Sequence, residues 1–264
     1  MKEILKNNPI TRFLIYFFKL LLSIIKSPFC RHSKELERFK NMHKGERCFI
    51  IATGPSLTLE DCELLKDEIT FGMNSIVKTF DKTSWRPTYY VVSDVVPYAA
   101  CKDYIKADDF KKVFFSKKID KKNKEVCHFA LNAVNIYKCE LTDNFKNRIF
   151  PSKKLDRYFN DGPSVVFSII QLAMYMGFSE IYLIGQDCNY AKQSHSKIAE
   201  VSYKVAPKIR DGEKMIDVFD SFKNYVVEND CVKIYNVTNG GALEVFERRK
   251  LGEVLELDNL ILKD

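Results

Sequence analysis

The chain has 264 residues, of which 46% are hydrophobic and 29% are charged, so it is long enough for one large domain and too apolar to be disordered. Its net charge of +7 and pI of about 8.8 favour anionic partners, such as a membrane surface or a nucleotide. We find no zinc-finger spacing and no aromatic RNA-binding signature, so nucleic acid is not an expected partner.

Cysteine and histidine are present in patterns that predict neither a disulfide framework nor a metal site. The eight cysteines form no Cys-x-x-Cys pair, and the four histidines have no metal-ligand spacing. Scattered cysteines in a chain of this size are typical of reduced thiols in a cytoplasm. We therefore expect a cytoplasmic protein that holds no structural metal.

Residues 1–30 contain an apolar segment, "RFLIYFFKLLLSIIK" at 12–26. Its apolar part, 13–25, would form a helix of about 20 Å, short of the roughly 30 Å hydrocarbon core. Arg12, Lys19 and Lys26 lie seven residues apart and share one narrow polar stripe. This pattern predicts an amphipathic helix in a membrane interface, with contact through residues 9–27 at the inner face of the cell membrane.

Two other interpretations of this segment remain open. A signal peptide would need a small-x-small cleavage site, and the residues that follow, Pro28 to Arg31, provide a poor one. A core helix or an oligomer contact would show the same apolar pattern. Residues 31–46, "RHSKELERFKNMHKGE", are predicted to be a polar linker or a short helix that leads to the globular part.

Strand-like and helix-like segments alternate over residues 47–264, which predicts a Rossmann-like α/β domain with a mostly parallel sheet flanked by helices. We expect strands at 47–53, 69–73, 88–93, 112–116, 180–185 and 231–236. Helices are expected at 58–66, 96–106, 163–176, 214–228 and 241–251. The polar, aperiodic stretch at about 189–212 is predicted to be an active-site lid, because it follows a buried strand.

The tripeptide Gly-Pro-Ser occurs twice, at 54–56 and at 162–164, and each copy opens a predicted helix. A glycine there lets a ligand approach the backbone, and a helix N-terminus offers free N–H groups to a phosphate. Ser56 or Thr58 can cap the first helix, with Asp61 as the acid of a capping box. The alternative is a tight strand-to-helix connection that binds nothing.

The carboxyl ends of the predicted strands carry small or polar residues, as expected where an open parallel sheet binds its ligand. The first four strand ends to be considered are Thr53 to Ser56, Gly72 to Ser75, Ser93 with Asp94, and Gln186 with Asp187. The last strand is followed by Asn236, Thr238, Gly240 and Gly241, which are also able to hydrogen-bond a ligand.

Four stretches, "IIATGPSLTLED", "FGMNSI", "YYVVSD" and "DGPSVVFSIIQLAMYMGFSEIYLIGQD", together resemble two groups of proteins. One is the bacterial CMP-sialic-acid-dependent sialyltransferases of lipooligosaccharide synthesis. The other is the 6-hydroxymethylpterin diphosphokinase MptE-like group, many members of which belong to surface-polysaccharide gene clusters. The resemblance covers roughly residues 46 to 190 and extends more loosely to 250.

The resemblance implies a nucleotide site and assigns residues to it. Gly54 to Leu57, including Pro55 and Ser56, would hold the phosphate and ribose region, with Thr53 beside them. The resemblance also implies contacts to the nucleotide from Asn74, Ser93, Asp94 and Ser164. Apart from the resemblance, the further candidate substrate-binding residues are Gly162, Pro163, Gln186 and Tyr190. Asp187 would bind the ribose hydroxyls. The resemblance also implies an enzyme that works without a metal.

The sequence departs from the sialyltransferases at two positions. Their arginine before the second helix is matched by Gly162, and the region of their catalytic histidine, "PKIRDGEKMIDVFD", contains no histidine. His195, within the predicted lid, is the available general base, so His195 and Asp187 are the candidate catalytic residues.

These observations lead us to expect a glycosyltransferase with a CMP-activated donor and a glycan or lipid-linked acceptor, acting in cell-surface polysaccharide or lipooligosaccharide synthesis without a cofactor. One alternative is a pyrophosphokinase of the 6-hydroxymethylpterin type, which requires Mg²⁺ and carboxylates such as Asp94 and Asp187. Another alternative is a non-catalytic component that binds a nucleotide or a glycan. The sequence leaves the oligomeric state open.

Overall fold

A computed structural model of the chain describes residues 31–116, 164–189, 209–228 and 232–261 with a few short stretches between them: 119, 129–131, 133–135, 155, 159–161 and 198. Near the N-terminus it describes the helical positions 11, 14, 17, 18, 21, 22 and 25. The α-helices with described bounds are α1 (Arg31–Glu37), α2 (Leu59–Leu64), α3 (Val95–Cys101), α4 (Val165–Met176), α5 (Ile209–Glu228) and α6 (Leu251–Ile261).

Strands β1 to β5 and β8 to β10 form one sheet of eight parallel strands, in the order β10-β9-β8-β1-β2-β3-β4-β5. Their bounds are β1 (Arg47–Ile51), β2 (Thr70–Met73), β3 (Tyr89–Val92), β4 (Lys112–Ser116), β5 (Phe129–Leu131), β8 (Glu180–Ile184), β9 (Lys233–Asn236) and β10 (Glu247–Arg248). A separate parallel pair joins β6 (Ala133–Asn135) to β7 (Phe159–Asp161). The Rossmann-like α/β fold predicted from the sequence is confirmed.

Each central strand is buried on both of its faces, which explains its continuous apolar sequence. In β1, Cys48 and Ile50 belong to a hydrophobic core on one side of the sheet, and Phe49 and Ile51 belong to a second core on the other side. Successive side chains of a strand point to opposite faces, so one short strand supplies both cores.

Helix α4 is apolar around its whole circumference because it is covered from two directions. Eleven of its twelve residues are buried, and Phe167 lies 4.4 Å from Phe219 of α5, measured between ring centroids. The sheet covers the opposite side. Ser164 is the N-cap and Gly177, with a φ of 90°, is the left-handed C-cap, so the helix begins at Val165 rather than at 163.

Residues 31–46, predicted to be a polar linker or a short helix, begin with a short helix and are part of the folded domain. Residues 31–37 form α1, and Leu36 and Phe39 are only 3% and 4% exposed in the core that includes α4. The ring of His43 stacks on Phe178 at 4.7 Å and hydrogen-bonds the Tyr89 hydroxyl at 2.7 Å. Charged residues at intervening positions gave this segment a polar average that concealed its few buried side chains.

The helix predicted over 241–251 is also wrong. The chain is irregular from 239 to 246, forms the short strand β10, and becomes helical only at Leu251. Gly240 and Gly241 have φ values of 75° and 79°, which a right-handed helix does not allow. Leu243 and Phe246, both buried, have a helical spacing but pack as loop residues.

Other boundaries differ less from the predicted ones. A 3₁₀ helix, Asn74–Thr79, follows β2 directly, and α5 begins at 209 rather than 214. It therefore takes in the last residues of the predicted lid, 189–212, most of which lies outside the described residues. In the described part of the chain, no helix combines the length and the hydrophobicity needed to span a bilayer.

Replacing Phe39 tests whether residues 31–46 contribute to the core. The Phe39 ring packs edge-on against Phe114 at 5.4 Å, so Phe39→Ala should lower the free energy of unfolding by about 3 kcal/mol. Met42, 45% exposed, provides the matched control, and Met42→Ala should change this free energy by less than about 1 kcal/mol. Urea denaturation measures both values, and equal small effects would show that the segment is a linker after all.

Candidate functional site

The sheet reverses its strand order between β1 and β8. From β1 the chain builds outward through β2, β3, β4 and β5, and it then returns to the opposite side of β1 with β8, β9 and β10. The loops that leave the carboxyl ends of β1 and β8 therefore depart in opposite directions. In open α/β sheets, ligands bind in the crevice that such a reversal creates.

A cleft of about 170 Å³ lies at this position. We call it the strand-end cleft. Its described lining combines the loops after β1, β2 and β8 with the start of α4: Ala52, Thr53, Gly54, Pro55, Met73, Asn74, Ser164, Val166, Gly185, Gln186, Asp187, Cys188 and Asn189. Seven of the substrate and catalytic residues predicted from the sequence lie in this lining, namely Thr53, Gly54, Pro55, Asn74, Ser164, Gln186 and Asp187.

The glycine of the first Gly-Pro-Ser turn is required by packing within the protein. The Gly54 N–H donates to the Gly185 carbonyl at 2.9 Å, and a Cβ on Gly54 would overlap the Asp187 carboxylate and the Gly185 carbonyl. The sequence predicted that this glycine leaves room for a ligand. In the structure, the space beside its Cα is occupied by Asp187.

Ser56 holds the Asp187 carboxylate in place. Its hydroxyl donates to Oδ2 of Asp187 at 2.8 Å, and its backbone N–H approaches the same oxygen at 3.4 Å. Asp187 is 8% exposed, so these donors replace part of the hydration that the carboxylate loses on burial. Two residues 131 positions apart in the chain thus form one side of the cleft.

The two helix starts in the Gly-Pro-Ser regions differ in what they offer to a ligand. Thr58 caps α2, and Asp61 completes the predicted capping box through the Thr58 N–H at 3.0 Å. The amides of this box are already satisfied. Helix α4 begins in the cleft, where Ser164 and Val166 line it. The Ser164 hydroxyl oxygen accepts from the Val166 N–H at 3.4 Å, and the positive end of the helix dipole faces the cleft.

Two residues of the lining have backbone conformations that residues other than glycine seldom adopt. Asn74 has a φ of 47° and Cys188 a φ of 52°. The Tyr90 hydroxyl donates to the Asn74 carbonyl at 2.5 Å and helps to hold the first of them. Backbone strain of this kind is concentrated at binding and catalytic sites.

The Cys188 thiol is protonated at neutral pH. The pKa of Cys188 is raised to about 11, mainly by burial; the hydrogen bond from Gln186 lowers the pKa and the nearby Asp187 charge raises it. The Gln186 amide donates to Sγ of Cys188 at 3.2 Å. Because the thiolate is the reactive form, Cys188 is part of the wall of the cleft and not a nucleophile.

Some predicted site residues lie outside the described lining. Leu57 is 1% exposed within a hydrophobic core. Ser93 and Asp94 follow β3, two strands and therefore about 10 Å from β1, and Asp94 is an exposed N-cap of α3. Ser56 reaches the cleft through Asp187. Gly162, Pro163, Tyr190 and His195 lie outside the described residues, and their roles stay predictions.

The polar residues at the end of β9 were expected to hydrogen-bond a ligand, but their hydrogen bonds are with the protein backbone. Asn236 is fully buried and Thr238 is 4% exposed. The Thr238 hydroxyl accepts a hydrogen bond from the Gln186 N–H at 3.0 Å, and the Ala242 N–H donates to the Asp187 carbonyl at 2.6 Å. These residues support the cleft from behind.

Sequence reasoning missed several residues of the lining, namely Ala52, Val166, Gly185, Cys188 and Asn189. Most of them adjoin predicted residues, so taking every residue of each strand-end loop would have found them. Val166 could have been predicted only from its place in the first turn of a helix, because that turn faces the same ligand as the N-cap.

The described lining contains one carboxylate, that of Asp187, and neither lysine nor arginine. Within the described ranges, no three His, Cys, Asp or Glu side chains form a group that could hold a metal ion. The polar groups that the described lining offers to a ligand are therefore hydroxyls, amides, backbone N–H groups and a single anion.

Comparisons with known proteins place this architecture in a family. A search of curated proteins gave no match. The structure of MAf glycosyltransferase from Magnetospirillum magneticum AMB-1 has the same fold, with a TM-score of 0.53 and 15% identity over 87% of this chain. The chain spans 41% of the length of that protein. The family model described as 6-hydroxymethylpterin diphosphokinase MptE-like matches residues 24–193, well over half of the chain. The chain belongs to the MptE-like family.

Proposed function

We propose that the protein is a membrane-peripheral glycosyltransferase that uses a CMP-activated sugar, in the manner of a sialyltransferase. Its acceptor is a glycan or a lipid-linked glycan in cell-surface polysaccharide or lipooligosaccharide synthesis. The observation that supports this best is the strand-end cleft at the reversal of the sheet, where Asp187 is fixed opposite the start of α4. The fold shared with a glycosyltransferase is consistent with it.

The lining provides a complementary group for each part of a nucleoside monophosphate. A carboxylate has about four acceptor positions, so Asp187 can accept ribose hydroxyls while it accepts from Ser56. The start of α4, with Ser164 and Val166, lines the same space as Thr53, so its first N–H groups and the hydroxyls of Thr53 and Ser164 are the proposed phosphate donors. They can donate to a phosphate without a cation.

This arrangement suits glycosyl transfer. The acceptor hydroxyl attacks the anomeric carbon, the bond from that carbon to the phosphate oxygen breaks, and CMP leaves with the negative charge. Fixed N–H donors at the start of α4 stabilise that developing charge, since they need no reorganisation during the reaction. His195, which lies in the predicted lid, is the proposed base that takes the acceptor proton.

A second candidate function is the transfer of diphosphate from ATP to a pterin alcohol, which the description of the matched family favours. That reaction requires Mg²⁺, which in nucleotide enzymes is held by carboxylates together with the substrate phosphates. Of the two carboxylates considered from the sequence, only Asp187 lines the cleft. The described donor set therefore fits Mg²⁺ poorly, and we assign no role to the ion.

The N-terminal segment supports the proposed attachment to a membrane. Leu14, Phe17, Phe18, Leu21 and Ile25 are helical and between 43% and 60% exposed. At 3.6 residues per turn these side chains share an arc of about 100°, and the sequence places Arg12, Lys19 and Lys26 on the opposite side. An exposed apolar face with basic residues on the polar face is the pattern of a helix that lies in the interface of an anionic bilayer.

Nucleotide binding is the first test of the proposal. CMP should raise the melting temperature in the absence of Mg²⁺, because a ligand that binds only the native state stabilises it. Asp187→Asn should weaken CMP binding at least about tenfold, since it removes a charged acceptor. Differential scanning fluorimetry with CMP, CDP, UDP, GDP and ATP, each with and without Mg²⁺, measures selectivity.

Asp81→Asn is the matched control, since Asp81 is an exposed carboxylate in a loop remote from the described lining. It should leave the CMP response unchanged. A response to ATP that depends on Mg²⁺ would instead favour diphosphate transfer. The absence of any nucleotide response would favour a non-catalytic binding protein.

His195 is tested by turnover. With CMP-sialic acid as the probe donor, His195→Ala should lower the rate of CMP release about 10²-fold or more, the usual contribution of a general base. The CMP-induced rise in melting temperature should persist, because the base is not proposed to hold the nucleotide. Unchanged turnover would remove His195 from the mechanism and leave the nucleotide site standing.

Membrane attachment is tested with vesicles that contain phosphatidylglycerol. Leu21→Glu should weaken binding at least about tenfold, because it replaces apolar surface in the contact with a charge. Leu64→Glu is the matched control, since Leu64 is an isolated leucine, 60% exposed, on α2. Flotation assays measure both variants, and equal binding of the two would contradict the proposal.

A further inference from the structure

Two buried polar side chains lie at the end of β9, one on its last residue, Asn236, and one on Thr238, and neither belongs to the described lining of the cleft. Asn236 and Thr238 are 0% and 4% exposed. Polar groups at such depth are destabilising unless they are hydrogen-bonded. Their hydrogen-bond partners are all backbone groups of the strand ends and loops around Asp187.

The Thr238 hydroxyl joins the end of β9 to the end of β8. It accepts from the Gln186 N–H at 3.0 Å and donates to the Leu183 carbonyl at 3.4 Å. The first of these contacts fixes the amide immediately before Asp187. Valine has the same shape as threonine but cannot replace either hydrogen bond.

The Asn236 side chain closes the loop that follows. Its Oδ1 accepts from the Thr238 N–H at 2.9 Å, and its Nδ2 donates to the Leu243 carbonyl at 2.7 Å. The guanidinium of Arg248 adds a bond to the Thr238 carbonyl at 2.9 Å. Residues 236–243 are thereby held as one compact loop, which we call the clamp loop.

The later residues of the clamp loop contact the backbone of Asp187 itself. The Ala242 N–H donates to the Asp187 carbonyl at 2.6 Å. Gly241, with a φ of 79°, lies so close that a Cβ would come within 2.8 Å of the same carbonyl oxygen. The backbone of Asp187 is therefore bound on both sides, at the preceding amide and at its own carbonyl.

We propose that Thr238 and Asn236 are positioning residues, which orient Asp187 toward the nucleotide by fixing the backbone on each side of it. This inference rests on the proposed function, since it assigns to the clamp loop the task of holding a ligand-binding carboxylate. Ser56 fixes the carboxylate end, and the clamp loop fixes the backbone end.

The test compares Thr238→Val with Thr238→Ser. Loss of the hydroxyl leaves the buried Gln186 N–H without its acceptor, so Thr238→Val should weaken CMP binding about tenfold. Thr238→Ser keeps the hydroxyl and should bind within about threefold of wild type. Isothermal titration with CMP, well below the melting temperature of each variant, measures these constants.

Thr79→Val is the matched control. Thr79 is also fully buried, and its hydroxyl donates to the Ile76 carbonyl at 2.7 Å in the 3₁₀ helix. It should lower stability without changing CMP affinity. If Thr238→Val does not fold, Arg248→Gln, at a half-exposed position that binds the Thr238 carbonyl, should weaken CMP binding by about threefold. Unchanged affinity in that variant would overturn the proposal.

Hydrogen exchange separates this inference from the proposed function. The Gln186 amide should exchange at least about tenfold faster in Thr238→Val than in wild type or in Thr79→Val, because local opening no longer breaks a hydrogen bond. Faster exchange without weaker CMP binding would overturn the positioning role. Unchanged exchange would overturn it as well. If wild type binds no CMP, the proposed function fails, and exchange alone decides whether Thr238 fixes this segment.

Discussion

The contact between Gly54 and Gly185 is the constraint on which the cleft depends. The hydrogen bond from the Gly54 N–H to the Gly185 carbonyl joins the loops that follow β1 and β8, the two strands between which the sheet reverses. A Cβ on either glycine would collide with the opposite loop. Because the loops approach so closely, Asp187 reaches Ser56, and the two strand ends share one wall.

The polar groups around this contact fall into two sets. Those that build the site, such as Thr238, Asn236 and Ser56, are hydrogen-bonded to the protein itself. Those that face the cleft include Thr53 and Asn74, whose side chains form no hydrogen bond with the described residues. A rigid frame behind unpaired donors and acceptors is what preorganised binding requires, since the ligand then does not have to order its own site.

The strands and the strand-end residues were largely predictable. Continuous apolar runs such as Cys48 to Ile51 and Ile181 to Ile184 identify buried parallel strands, and the residues after them must meet at one edge of the sheet. Short elements were not predictable, because β10 has two residues and β6 has three, too few for any periodicity. The region 241–251 misled the prediction because Leu243 and Phe246 have a helical spacing within a loop that its glycines shape.

The sequence by itself determined the α/β class, the mostly parallel sheet, the acid of the α2 capping box, and the grouping of Thr53, Gly54 and Ser164 with Asp187, because each depends on local pattern or on a general rule of sheet architecture. Only the tertiary structure decided what each residue does there. Gly54 accommodates a carboxylate of the protein, Thr238 and Asn236 bind backbone, and Phe39 belongs to the core. These roles depend on contacts between residues far apart in the chain, and no local pattern of residue types records such contacts.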